Sequence, residues 1–166
     1  MGAMSTLLVL RHAQAAPEAP SSSDEERALT EEGRRAAARV GRLVKDEQLL
    51  PDLVLSSSAR RTRETVSEFC QSSGYAGPIR YLDELYLAEV SAIVDALAAH
   101  AGAASRVLLV GHNPGLEDLV AQLTGESVSL PTAALVECAF ELDDWSALAD
   151  GRKGRLERLF RPNRQA

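Results

Sequence analysis

The chain has 166 residues, 45% of them hydrophobic and 25% charged, which suits one globular domain with a sizeable core. A formal net charge of −6 excludes a global basic field of the kind that gathers DNA or RNA. The two cysteines, Cys70 and Cys138, form neither metal-ligand spacing nor a disulfide framework, and read as buried thiols in a reducing compartment. With no apolar run near 18 residues and no signal-peptide pattern at the start, a cytoplasmic protein without a membrane partner is expected. The opening Met1-Gly2-Ala3 resembles a cloning remnant before a native Met4, which sets the domain at 4–166.

Strand and helix signals alternate along the chain. Leu7-Leu8-Val9-Leu10 reads as a short buried strand that ends at Arg11-His12. The Pro-, Ser- and acid-rich stretch from Ala15 to Glu26 reads as a loop. Thr30 then offers an N-cap, with Glu31 and Glu32 in the first turn of a helix running to about Asp46. Leu53-Val54-Leu55 is a second strand, followed by a helix from about Arg60 to Ser72. A third strand is expected near Ile79 to Leu82, and then a helix carrying Val90, Ile93, Val94 and Leu97 on one face.

Val107 to Val110 forms a fourth strand that runs into Gly111-His112-Asn113-Pro114-Gly115, and the next helix presents Leu116, Leu119, Val120 and Leu123. Alternation from Val136 to Leu142 predicts a fifth strand, with Leu156 to Phe160 returning antiparallel after a turn at 151–154. The pattern implies a single α/β sandwich with a mostly parallel sheet.

Ligands in such sheets sit outside the carboxyl ends of the strands. Only three histidines occur, and His12 and His112 both fall at strand ends, with Arg11 beside the first. That combination points to one composite anion site. Arg11 offers paired bonds to phosphate oxygens, and a neutral His12 can accept a phosphoryl group. Ser57, Arg61 and Thr65 are spaced i, i+4, i+8 where the second strand feeds a helix N-terminus, whereas Arg60 and Arg63 read as a solvated basic turn paired with Glu64 and Glu68. Glu84 follows the third strand, where a carboxyl can serve as a general acid or simply be solvated. His100 reads as a surface residue at a helix end. Trp145, Tyr75, Tyr81 and Tyr86 read as core or rim, with Tyr86 close enough to Glu84 to line a pocket.

The segments LVLRHAQA (8–15), RALTEEGRRAA (27–37), SSARRTRET (57–65), DELYLA (83–88), VLLVGHNPGLEDLVAQLTG (107–125) and PTAALVECAFE (131–141) together resemble the histidine phosphatase superfamily, most closely its small SixA-type phosphohistidine phosphatases. Ala13 stands where many members have glycine. The resemblance implies a phosphoglycerate-mutase-like three-layer sandwich, minimal and without a lid insertion. It also implies His12 as nucleophile, with Arg11, Arg61 and His112 forming the phosphate pocket, Ser57 beside them and Glu84 at the position of the usual acid. No metal or other cofactor is expected.

The leading expectation is removal of phosphate from phosphohistidine on a protein through a covalent phosphohistidine enzyme. A phosphatase for small phosphate monoesters and a non-catalytic phosphate-binding adaptor are the alternatives. A monomer is expected, with a phosphohistidine-bearing protein or a small phosphorylated substrate as its partner.

Overall fold

The computed structural model describes residues 2–162, and its framework is one six-stranded sheet. The strands are β1 (Ala3–Arg11), β2 (Leu53–Ser57), β3 (Ile79–Leu82), β4 (Arg106–Gly111), β5 (Leu135–Leu142) and β6 (Arg155–Phe160), in the order β3-β2-β4-β1-β5-β6. β1 to β4 are mutually parallel, while β5 and β6 extend the sheet antiparallel beyond β1. Four helices complete the layers: α1 (Glu31–Asp46), α2 (Arg60–Ser73), α3 (Val90–His100) and α4 (Gly115–Thr124).

Side chains alternate across each central strand, so the sheet divides the core in two. Leu7, Val9, Leu53, Leu55, Val107 and Leu109 pack with Ile93, Leu97, Leu116 and Leu119 of α3 and α4. Leu8, Leu10, Val54, Leu108 and Val110 pack on the other face with Val40, Val44, Val66 and Phe69 of α1 and α2. Trp145 closes the first layer and donates its indole N–H to the Ala104 carbonyl at 2.8 Å.

Local chemistry sets the helix ends. Thr30 caps α1 by accepting from Gly33 N at 2.9 Å, with Glu31 and Glu32 complementing the helix dipole. Gly74 and Gly125 end α2 and α4 at φ +80° and +79°, a left-handed conformation that costs glycine little.

Three details depart from the sequence reading. β1 begins at Ala3, which pairs with Leu142, so Ala3 belongs to the sheet rather than lying outside the fold. Ser57 is the last residue of β2, not part of the following helix. The loop before α1 contains a short 3-10 turn at Asp24–Glu26, a feature without apolar periodicity to announce it. Of the expected buried thiols, Cys138 is buried and Cys70 only partly so.

The start of α4 is packed tightly enough to constrain the site. A Cβ added at Gly115 would lie 2.1 Å from the Ala88 carbonyl oxygen, whereas one at Gly111 would meet only the side chain of Leu116, at 3.4 Å and an ordinary van der Waals distance. Alanine is the better helix former, so any destabilisation at position 115 comes from that clash. Gly115→Ala is expected to cost about 1–3 kcal/mol, a drop in melting temperature on the order of 5 °C. Gly111→Ala should lie close to wild type, and thermal denaturation of the two variants checks the contrast.

Candidate functional site

The pairing of β1 with β4 sets the centre of the site. Arg11 lies opposite Gly111, and His12 N donates to the Gly111 carbonyl at 3.1 Å. His12 and His112 therefore leave adjacent strand ends together, with ring centroids 5.4 Å apart. Both are buried.

Hydrogen bonds assign the ring nitrogens. His12 Nδ1 lies 2.8 Å from the Ala13 carbonyl. A carbonyl can only accept, so Nδ1 carries the proton and neutral His12 keeps its lone pair on Nε2. His112 Nε2 lies 2.8 Å from Ser57 Oγ, which also accepts from Ala59 N at 3.3 Å. A hydroxyl can donate or accept; where Ser57 donates to Nε2, the remaining proton of neutral His112 sits on Nδ1.

Two arginines complete the cradle. Arg11 Nη1 donates to the Leu130 carbonyl at 3.0 Å. Asn113 holds the same carbonyl at 2.9 Å, and Glu117 accepts from Leu130 N at 2.8 Å, so the GHNPGLED segment also fixes the loop that anchors Arg11. Arg61 and Arg60 point opposite ways, as successive helical residues must. The Arg61 side chain is 4% exposed, while that of Arg60 is 51% exposed and bonded to Glu64 at 2.8 Å. Thr65 ties α2 to the loop that follows β1, accepting from Ala13 N at 3.0 Å and donating to the Arg61 carbonyl at 2.8 Å.

Among the described residues, four buried side-chain atoms lack a hydrogen-bond partner: Arg106 Nε at the far end of β4, and Arg11 Nε, Arg61 Nε and His112 Nδ1 at the site. Buried donors left unsatisfied are costly. Three of them around His12 make a cradle whose natural complement is an anion. Burial lowers the Arg11 pKa from its ordinary value. It also pushes His12 down from 6.5 to about 4, with Arg61 and Arg11 adding to the effect against the opposing Ala13 bond. His112 falls to about 3 through burial, then His12 and Arg61. Both imidazoles are therefore neutral at pH 7.

Glu84 sits elsewhere. Its carboxylate is 3.6 Å from His100 Nε2, its side chain is 54% exposed, and it makes no hydrogen bond or ion pair with Arg11, His12, Arg61 or His112. Arg63 stacks over exposed Tyr81 at 5.2 Å rather than joining the cradle. Tyr86 does line the site, its ring edge-on to His112 at 5.4 Å. Its hydroxyl donates to Asp24, a residue in the stretch that the sequence presents only as a loop. Among the described residues no group of three or more His, Cys, Asp or Glu side chains could hold a metal ion, and no helix is long and apolar enough to cross a membrane.

Comparison with known proteins agrees with this architecture. Residues 7–89 match the histidine phosphatase superfamily (branch 1). An uncharacterized chloroplastic protein of Arabidopsis thaliana is 31% identical over 173 residues, covering 95% of this chain and 78% of its own. Among solved structures, a candidate phosphohistidine phosphatase SixA from Nakamurella multipartitia superposes with a TM-score of 0.83 at 28% identity, covering 96% of this chain and 97% of its own. Its counterpart from Agrobacterium tumefaciens gives a TM-score of 0.81 at 30% identity, with 95% and 98% covered. The chain therefore belongs to the histidine phosphatase superfamily, branch 1, and shares the fold of its SixA-type members.

Proposed function

We propose that this protein is a metal-independent phosphatase that removes phosphate from a phosphorylated histidine side chain of another protein, with His12 as nucleophile. The observation that carries the reading is the free His12 Nε2 inside a cradle of unsatisfied N–H donors from Arg11, Arg61 and His112. His12 Nε2 attacks phosphorus in line, the N–P bond to the substrate imidazole breaks, and its electron pair stays on the departing nitrogen. The proton already on the substrate's other ring nitrogen makes that leaving group a neutral imidazole.

The second step mirrors the first. The Ala13 carbonyl keeps a proton on His12 Nδ1, so the phosphorylated ring is cationic and leaves as neutral imidazole when water attacks phosphorus. Arg11, Arg61 and His112 stabilise the equatorial oxygens. Arginine thus supplies the charge that a metal ion brings in other phosphoryl-transfer sites. Ser57 acts through His112, whose ring it orients.

A protein-borne substrate suits this minimal fold, in which His12 and His112 lie buried at the strand ends. Only α3 lies between the Glu84 turn and β4, and no lid insertion covers the strand ends. A proton donor for the leaving group is unnecessary with phosphohistidine, which agrees with Glu84 turning to His100.

The decisive assay compares kcat/KM on a phosphohistidine protein with a panel of phosphate esters, EDTA being present throughout. Phosphohistidine should be preferred, and rapid quench should trap an acid-labile, base-stable adduct that His12→Ala abolishes. Preference for a small ester, activity that returns only with added metal, or wild-type turnover by His12→Ala would each overturn the corresponding part.

Arg61 and Arg60 provide an internal control. Losing a charged donor to the transferring phosphoryl group should cost about 2–4 kcal/mol, a loss in kcat/KM of roughly 30- to 1,000-fold for Arg61→Ala. Arg60→Ala removes a solvated ion pair and should change kcat/KM by only a few-fold. Steady-state kinetics on both variants reads the difference, and equal losses would reverse the assignment.

Protonation gives an independent check. A lowered pKa favours the neutral ring, so His12 should stay unprotonated as pH falls through 6.5 and titrate only near 4. An NMR titration of the imidazole resonances reads this directly. A His12 midpoint near 6.5 would remove the ready nucleophile from the proposal.

A further inference from the structure

A carboxylate stands against the cradle that the phosphatase reading does not use. Asp24 Oδ2 accepts from Arg61 Nη2 at 3.0 Å and from the Tyr86 hydroxyl. Its Oδ1 accepts from Arg27 Nη1 at 3.0 Å, and its backbone carbonyl accepts from Arg61 Nη1 at 2.8 Å. A negative group beside a site for a phosphoryl dianion opposes the ligand's own charge, so its presence calls for a compensating role.

The fork geometry of guanidinium supplies one. A planar guanidinium has five N–H donors in fixed directions. Asp24 takes one from Nη1 and one from Nη2, and Arg61 Nε remains buried without a partner. Gripping the terminal nitrogens fixes the plane of the group and hence the direction of the free Nε edge. The same carboxylate oxygen fixes Tyr86, whose ring edge packs on His112 and whose face lies 5.9 Å from the Arg61 guanidinium. One carboxylate therefore orients two walls of the cradle. It stays charged, because the Tyr86, Arg27 and Arg61 bonds hold it well below the usual carboxylate range against the opposing effect of burial. A group so poor at carrying a proton does not serve as the acid for a leaving group.

We propose that Asp24 is a positioning residue that aims Arg61 at the transferring phosphoryl group and offsets part of the pocket's positive charge, so that inorganic phosphate leaves after each turnover. The inference rests on the phosphoryl-transfer reading of the same site.

A double-mutant cycle tests the aiming role. Asp24→Ala should lower kcat/KM roughly 10- to 100-fold in the wild-type background, the scale of a misplaced catalytic contact. In an Arg61→Ala background it should change kcat/KM by less than about threefold, because its effect passes through Arg61. Equal losses in both backgrounds would assign Asp24 to loop stability alone and overturn the proposal. Asp24→Asn tests the charge while keeping an accepting oxygen. Inorganic phosphate should compete about tenfold more tightly against this variant than against wild type, and an unchanged or weaker inhibition constant overturns the charge role. A wild-type protein that neither hydrolyses a phosphorylated substrate nor binds phosphate would sink the functional reading and this inference together. An active, phosphate-inhibited wild type with indistinguishable Asp24 variants would sink this inference alone.

Discussion

The parallel register between β1 and β4 is the constraint on which the rest of the site depends. Because Arg11 pairs with Gly111, the residues that follow, His12 and His112, leave adjacent strands at the same height. A slip of one residue in either strand would turn every side chain of that strand to the opposite face. It would move Leu8 and Leu10 out of the layer that packs on α1 and α2, and Val107 and Leu109 out of the layer on α3 and α4. The apolar alternation that fills two cores is therefore the same device that sets two imidazoles side by side.

The site joins cationic character to a neutral imidazole with a free Nε2. Arg11 and Arg61 lie close enough to His12 to disfavour its protonation, and burial pushes in the same direction. The arginines thus both suit an anion and help to keep the lone pair on His12 Nε2 free. Asp24 is the one carboxylate bonded to Arg61 among the described residues, so the pocket of Arg11 and Arg61 still suits an anion. Preorganised donors of this kind need no rearrangement during the reaction.

Much of this was legible in the sequence, and the parts that were not have physical reasons. Strands and helices announce themselves through periodicity and caps, so the Thr30 cap, the α1 span and the positions of the six strands along the chain follow from local patterns. Arg61 separates from Arg60 through helical angle alone. Asp24 does not, because Asp24, Glu25 and Glu26 are consecutive acids in a stretch without periodicity, and only the 3-10 turn and a partner 37 residues away decide which one turns inward. Glu84 sits after the expected strand, but β3 is a four-residue edge strand followed at once by a 3-10 turn, and that turn brings Glu84 to His100. Tyr86, two residues further on, presents its ring to the site instead.

That placement bears on which substrates the site suits. A phosphate ester leaves as an alkoxide and gains much from a proton donor, whereas a protonated phosphohistidine leaves as neutral imidazole. The carboxylate that does touch the cradle, Asp24, is held in its charged form by three side-chain donors and cannot fill that role. Glu84, exposed and paired with His100, makes no contact with the cradle residues. The described residues thus concentrate cations, a neutral nucleophile and a fixed anion, while no carboxyl poised to give up a proton touches the cradle. On the proposed reading, chemistry of that kind favours a substrate that carries its own leaving-group proton.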